Sequence, residues 1–247
     1  MSTQKEKSIS IYNGGLNAAT LANEWKKKSM LELWHTQVVQ HHEESYRGIS
    51  LLKFPQDLWN YEKLIDSYMP NIVVEVGVNK GGFTQWLADR LFLRHESKDD
   101  WHVFGIDISV SQAQENISSF PQTQNNVTYY EGDLRDTAFI NKVYTSISNA
   151  CQGKKLMLIE DSAHTYDVTK IVLDNFSPLI PPGGWLIVED TCVDIEDLRQ
   201  QPNWPRGALI AMLDFLGKNS DFCSTDFNNT YGISCHPFGF LTRKPTN

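Results

Sequence analysis

Residues 72–84 read Ile72-Val-Val-Glu75-Val-Gly77-Val-Asn79-Lys-Gly81-Gly82-Phe-Thr84. The apolar run Ile72–Val76 is continuous rather than alternating, the pattern of a strand buried on both faces of a parallel sheet. Gly77–Gly82 then reads as a turn, and Phe83 to Arg94 as a helix. Gly77 and Gly81 let backbone approach a ligand without a side chain in the way. A strand, a glycine turn and a helix in this order form half of a βαβ unit.

The same grammar repeats downstream. Strands are predicted over Trp101–Ile106, Val127–Tyr130, Leu156–Ile159 and Trp185–Val188. Helices are predicted over Ser111–Ser119, Thr137–Asn149, Val168–Phe176 and Ala208–Leu216. Tyr231–Ser234 and Phe238–Thr242 read as two closing strands, an antiparallel edge. Such alternation implies an α/β, Rossmann-like domain, a mostly parallel sheet with helices on both faces. Upstream, Leu16 to about Ser45 carries apolar residues at helical spacing (Leu21, Trp25, Leu31, Trp34, Val38, Val39) and reads as an N-terminal helical arm. Tyr46 to Pro55 is a connector, followed by a helix from Asp57 to Ser67 that Pro70 stops. The predicted division is residues 1–45, a flexible N-terminus and helical arm, and residues 46–247, the α/β domain.

Bulk properties narrow the partners. The chain has 247 residues and a formal net charge of −8. An acidic surface argues against nucleic acid or anionic membrane as the principal partner. No apolar run reaches the roughly 20 residues of a membrane-spanning helix, and MSTQKEKSIS lacks the apolar core of a signal peptide. Cys151, Cys192, Cys223 and Cys235 form no CxxC pair and read as reduced cysteines, so a cytoplasmic location is expected.

Acids cluster at the strand ends, where open α/β sheets bind their ligands. Glu75, Gly77, Asn79 and Gly81 line the first turn. Asn79 replaces the second glycine of a dinucleotide fingerprint, which leaves little room for a pyrophosphate. S-adenosylmethionine, whose ammonium an acidic turn can hold, fits better. Asp107, with Ile108 beside it, ends the second strand, where a carboxylate can accept from ribose hydroxyls. Gly132-Asp133 is placed to bound the adenine ring. Any one such acid could instead cap the next helix.

Asp161, Glu189 and Asp190 follow the fourth and fifth strands. Three carboxylates gathered at one point repel one another unless a cation intervenes. All-oxygen ligation favours Mg²⁺, Mn²⁺ or Ca²⁺ over zinc. His164 lies three residues beyond Asp161 and either takes a substrate proton near neutral pH or hydrogen-bonds within its loop. His41-His42-Glu43 reads as a helix surface rather than a ligand set, because adjacent helical residues diverge. Trp34, His35 and Trp204 either line a substrate mouth or belong to the core.

From Tyr46 onward the chain resembles the cephalosporin hydroxylase family, which includes rhamnosyl O-methyltransferases. The segments that carry the resemblance are YRGISLLKFPQDLW, VEVGVNKGGFTQWLADRL, VFGIDI, LIEDSAHTYD, PPGGWLIVEDT and GFLTR, within about residues 46–243. The resemblance implies a class I methyltransferase fold. It places Mg²⁺ on Asp161, Glu189 and Asp190, and S-adenosylmethionine around Glu75, Gly77, Asp107 and Asp161. It also implies a homo-oligomer with N-terminal helices near the active site. Catechol O-methyltransferase is similar in arrangement, with a Lys where His164 stands here. The activity so implied is O-methylation of a small specialised metabolite or sugar-containing acceptor. Asp161 and His164 would be catalytic, with a metal-bound water as the other candidate base. The alternative is a hydroxylase, or a component supporting one, for which the two-His, one-carboxylate set of non-haem iron is missing from the strand ends.

Overall fold

The computed structural model describes residues 29–199, 203–205, 207–227 and 232–245. In chain order its elements are α1 (Met30–His41), β1 (Ser45–Tyr46), β2 (Ile49–Ser50), α2 (Pro55–Tyr68), β3 (Ile72–Val76) and α3 (Gly82–Arg94). Then come β4 (His102–Asp107), α4 (Ser111–Ile117), β5 (Val127–Glu131), α5 (Thr137–Ala150) and β6 (Leu156–Glu160). The chain closes with α6 (Tyr166–Phe176), β7 (Trp185–Val188), α7 (Ala208–Lys218), β8 (Phe222–Ser224) and β9 (Phe240–Arg243).

One seven-stranded sheet, in the order β5-β4-β3-β6-β7-β9-β8, organises the chain. The strands from β5 to β7 run parallel, while β9 is antiparallel to both β7 and β8. Strand order reverses on either side of β3, which pairs with β4 on one edge and β6 on the other. A crevice therefore opens at the carboxyl ends of β3, β4 and β6. Every residue of β3 and β6 is buried, which is why both read as unbroken apolar runs. Two apolar layers sandwich the sheet. One includes Val74, Ile106, Leu158, Val172 and Phe176; the other includes Val73, Leu87, Leu91, Met157 and Ile159.

Two expectations change. The connector after Tyr46 contains a β-hairpin, in which Ser45 pairs with Ser50 and Tyr46 with Ile49. Tyr231–Ser234 is no strand across its described residues 232–234; the edge partner of β9 is Phe222–Ser224. Those three residues have no apolar run, and their pairing with β9 is non-local. In the arm, α1 begins at Met30, with Ser29 and Glu32 forming a reciprocal capping box; residues 16–28 lie outside the described residues. Trp34 and Val38 of α1 pack with Phe54, Cys192 and Cys235, so this part of the arm is docked on the rim of the sheet.

Candidate active site

A cavity of about 560 Å³ lies along the carboxyl ends of the parallel strands. Glu75, Gly77, Asn79, Asp107, Ile108, Asp133, Asp161, His164 and Asp190 all contribute to its wall; Gly81 and Glu189 do not.

The first turn is shaped by backbone packing. Gly77 has φ +94°, and a Cβ there would stand 1.9 Å from the carbonyl oxygen of Asp161. Only glycine permits that approach. Asn79, also in the left-handed region at φ 48°, donates its N–H to Asp107 Oδ2 at 3.0 Å, and Ser109 N–H donates to Asp107 Oδ1 at 3.2 Å. Asp107 is thereby fixed at the tip of β4, facing the cavity. Gly81 caps α3 instead. Glu75 is buried and accepts from the Thr84 hydroxyl at 2.5 Å. Burial pushes its pKa up to about 8. Asp133 is half-buried and accepts from the backbone and side chain of Arg135, which hold its carboxyl below the usual range.

Asp161 and Glu189 open toward one another across β6 and β7, and Lys53 lies between them. The Lys53 ammonium contacts Asp161 Oδ2 and Glu189 Oε2 and rests 4.6 Å from the centroid of the Phe83 ring. Burial opposes its charge, but Asp161 and Glu189 outweigh that and raise its pKa. Glu189 Oε1 accepts from the Tyr61 hydroxyl at 2.6 Å. Burial works against the Glu189 carboxylate too, yet Lys53 and His236 hold its pKa down at about 2. Asp161 is pushed well up, by burial first and by Glu189 next.

His164 Nε2 lies 3.3 Å from Asp190 Oδ2 and 4.0 Å from Asp161 Oδ1. The imidazole therefore faces across to the β7 loop rather than bonding within its own. Its Nδ1 is buried without a hydrogen-bond partner among the described residues. His164 and Asp190 both sit at left-handed φ, 53° and 52°, a strain that clusters where side-chain direction matters. Glu160, wholly buried, anchors the loop by accepting from Ser162 and from the Thr169 hydroxyl. On the far side, Asp190 N–H donates to His236 Nδ1 at 2.9 Å. His236 Nε2 in turn lies 3.7 Å from the buried Asp57.

Donor atoms of Asp161, His164 and Asp190 all lie within 4.8 Å of one another. Two hard carboxylates and an imbalance of negative charge suit an Mg²⁺-type ion. Glu189 is not in that group; its oxygens are engaged by Lys53 and Tyr61. The sequence reading missed Lys53, Tyr61, Asp57 and His236. A lone cation in Leu51-Leu52-Lys53-Phe54 was the one available signal. Nor do Trp34, His35 and Trp204 line the cavity: Trp34 is buried in the rim cluster. The C-terminal end of the arm does reach it, because His41 and His42 form part of the wall.

A sheet of this order, with its acids gathered at the switch point, defines a class I methyltransferase. The family model for rhamnosyl O-methyltransferase/CmcI matches residues 38–244, and the chain belongs to that family. A rhamnosyl O-methyltransferase of Mycobacterium bovis is 23% identical over 201 residues, covering 81% of this chain and 78% of the relative. That of Mycobacterium leprae is 25% identical over 162 residues, covering 66% and 64%. Among solved structures, CmcI with Mg and SAM superposes with a TM-score of 0.59 at 21% identity, over 96% of this chain and 87% of that one. An apo CmcI structure gives the same TM-score at 23% identity, over 83% and 78%. The structural likeness is one of fold. The chain is an enzyme of the O-methyltransferase class.

Proposed function

We propose that the chain transfers a methyl group from S-adenosylmethionine to a hydroxyl of a sugar-containing or other specialised small molecule, with Mg²⁺ held at the Asp161–Asp190 end of the cavity. The observation that carries this reading is one cavity lined both by the first turn with Asp107 and by the acids Asp161 and Asp190. Glu75 would meet the cofactor ammonium and Asp107 its ribose, with Gly77, Asn79 and Gly81 shaping the turn and Ile108 and Asp133 beside the adenine. Asp161, Asp190 and, after a shift of its side chain, Glu189 would hold the metal. Bound there, S-adenosylmethionine supplies the methyl group and Mg²⁺ lowers the pKa of the acceptor hydroxyl. The His164 imidazole, 3.3 Å from Asp190 Oδ2, would take the hydroxyl proton. The cavity wall would exclude water and hold acceptor and methyl donor together.

The relatives named rhamnosyl O-methyltransferase support a sugar hydroxyl as acceptor. His41 and His42 give the acceptor side a polar lining. The iron-hydroxylase alternative gains nothing from the structure: His164 is the one imidazole in the Asp161–Asp190 group among the described residues. No helix among the described residues is long and apolar enough to cross a membrane. The same reading includes residues 46–247 as the methyltransferase domain with residues 1–45 as its arm, a cytoplasmic location, and a homo-oligomer testable by light scattering.

Calorimetry with S-adenosylmethionine, with and without Mg²⁺, tests the core of the proposal. Cofactor binding without iron is expected, together with methylation of a glycosylated acceptor that EDTA stops. Asp161→Ala should abolish turnover and leave cofactor affinity largely intact. Turnover that survives both chelation and this change removes the metal from the mechanism.

A further inference from the structure

We propose that Lys53 is a tethered cation that stands within the acid cluster when no divalent ion is bound and must withdraw for the full ligand set to close, so that its ammonium sets the divalent-ion affinity of the enzyme. The inference rests on the metal reading above. It concerns a residue that reading does not use.

The placement of Lys53 is built by packing. The β1–β2 hairpin runs against the start of α3, where a Cβ on Gly82 would stand 2.0 Å from the carbonyl oxygen of Ser50. Leu51 and Phe54, on either side of the lysine, are buried, and Pro55 opens α2 directly after. The side chain of Lys53, 5% exposed, is directed into the acids.

The oxygen atoms define the competition. Both oxygens of Glu189 are engaged, Oε1 by the Tyr61 hydroxyl and Oε2 by Lys53. Asp161 gives Oδ2 to Lys53 and turns Oδ1 toward His164. An ion can therefore reach Asp161 Oδ1 and Asp190 with Lys53 in place. It can add Glu189 Oε2 only after the ammonium leaves that atom. Asp161, Glu189 and Asp190 carry three negative charges when ionised and Lys53 carries one positive charge. The balance of two is what a divalent ion cancels. Two cations within contact distance of the same carboxylates repel strongly, because burial weakens screening. The four-carbon stem lets the ammonium retreat inside the cavity, whose wall includes Glu75 as well as Lys53.

The test is titration of the full chain with Mn²⁺, followed by electron paramagnetic resonance, for wild type, Lys53→Met and Lys53→Arg. Removing the charge should tighten Mn²⁺ binding by about ten- to a hundredfold, whereas Lys53→Arg should bind no more tightly than wild type. Unchanged or weaker binding by Lys53→Met overturns the inference while wild-type binding upholds the metal reading. Absence of Mn²⁺ binding by all three chains overturns both. Lys53→Met leaves two buried carboxylates facing one another and lowers the stability of the ion-free protein. If it fails to fold without the ion, Lys53→Gln carries the same comparison. A larger rise in melting temperature on adding Mn²⁺ to the charge-free variant than to wild type supports the inference; an equal or smaller rise overturns it.

Discussion

Gly77 and Asp161 are in backbone contact across neighbouring strands: a Cβ on Gly77 would overlap the Asp161 carbonyl oxygen at 1.9 Å. The turn that shapes the cofactor half of the cavity and the residue that opens the acid cluster are thus one packed unit. Asp161 N–H also donates to Val76 O at 2.8 Å, just before the glycine. Gly77→Ala must push these strand ends apart and hold a side chain at φ +94°. A loss of about 2–4 kcal/mol in unfolding free energy is expected, with cofactor affinity and metal-dependent turnover falling together. Chemical denaturation and calorimetry measure both. Loss of only one function would show that the two halves are not mechanically joined.

On the proposed reading, Glu75 couples cofactor binding to pH. Its pKa, raised by burial to about 8, compares with 4.5 for the unperturbed group. The folded, unliganded protein therefore holds a proton that the unfolded chain releases. Stability contributed by that proton is fully present below about pH 4.5 and declines as pH rises toward 8. An ammonium placed against Glu75 favours the carboxylate, so cofactor binding at pH 7 should expel a proton, and affinity should rise between about pH 6 and 8. Calorimetry in buffers of different ionisation enthalpy counts the proton. Glu75→Gln should abolish its release and weaken binding. A proton count of zero for wild type removes Glu75 from contact with the ammonium.

His164 combines a left-handed backbone with a ring aimed at Asp190. Alanine would confuse backbone strain with loss of the imidazole. Asparagine tolerates φ near +53° far better and has no basic nitrogen. His164→Asn is expected to lower kcat by about 10²–10⁴-fold with the melting temperature and the KM for S-adenosylmethionine nearly unchanged. A His164→Asn variant that keeps wild-type kcat would assign the proton to another group.

The sheet was legible because parallel strands are buried on both faces. Ile72–Val76 and Trp185–Val188 match their apolar runs residue for residue. Phe222–Ser224 was not legible, because three residues at a sheet edge show no period and take their pairing from β9. The site divides the same way. Glu75, Asp107, Asp161 and Asp190 were readable as acids that end strands, and the topology alone brings strand ends together. Lys53, Asp57 and Tyr61 come from a connector and a helix, and His236 from the loop before β9. Nothing periodic in the sequence says that these side chains are aimed at Glu189 and Asp190. Glu189 shows the limit from the other side: its position after β7 was evident, but its commitment to Lys53 and Tyr61 depends on those distant segments.

Tyr61 offers a way to decide whether Glu189 is a ligand at all. Its hydroxyl donates to Glu189 Oε1 at 2.6 Å in a fully buried setting, while its ring packs against Phe83 and Phe240 with centroids 4.9 and 5.7 Å away. Tyr61→Phe keeps the ring contacts and removes one donor to a buried carboxylate. A hydrogen bond to a charged group contributes about 1.5–3 kcal/mol, so a stability loss of that size is expected in metal-free urea denaturation, with the denaturant slope unchanged. Where Mg²⁺ takes up the charge on Glu189, the freed oxygen is better compensated and the loss shrinks at saturating ion. Cofactor affinity should not change, because the Tyr61 hydroxyl bonds Glu189 and neither Glu75 nor Asp107. A cost that is identical with and without Mg²⁺ would take Glu189 out of the ligand set and leave it as the counter-ion of Lys53.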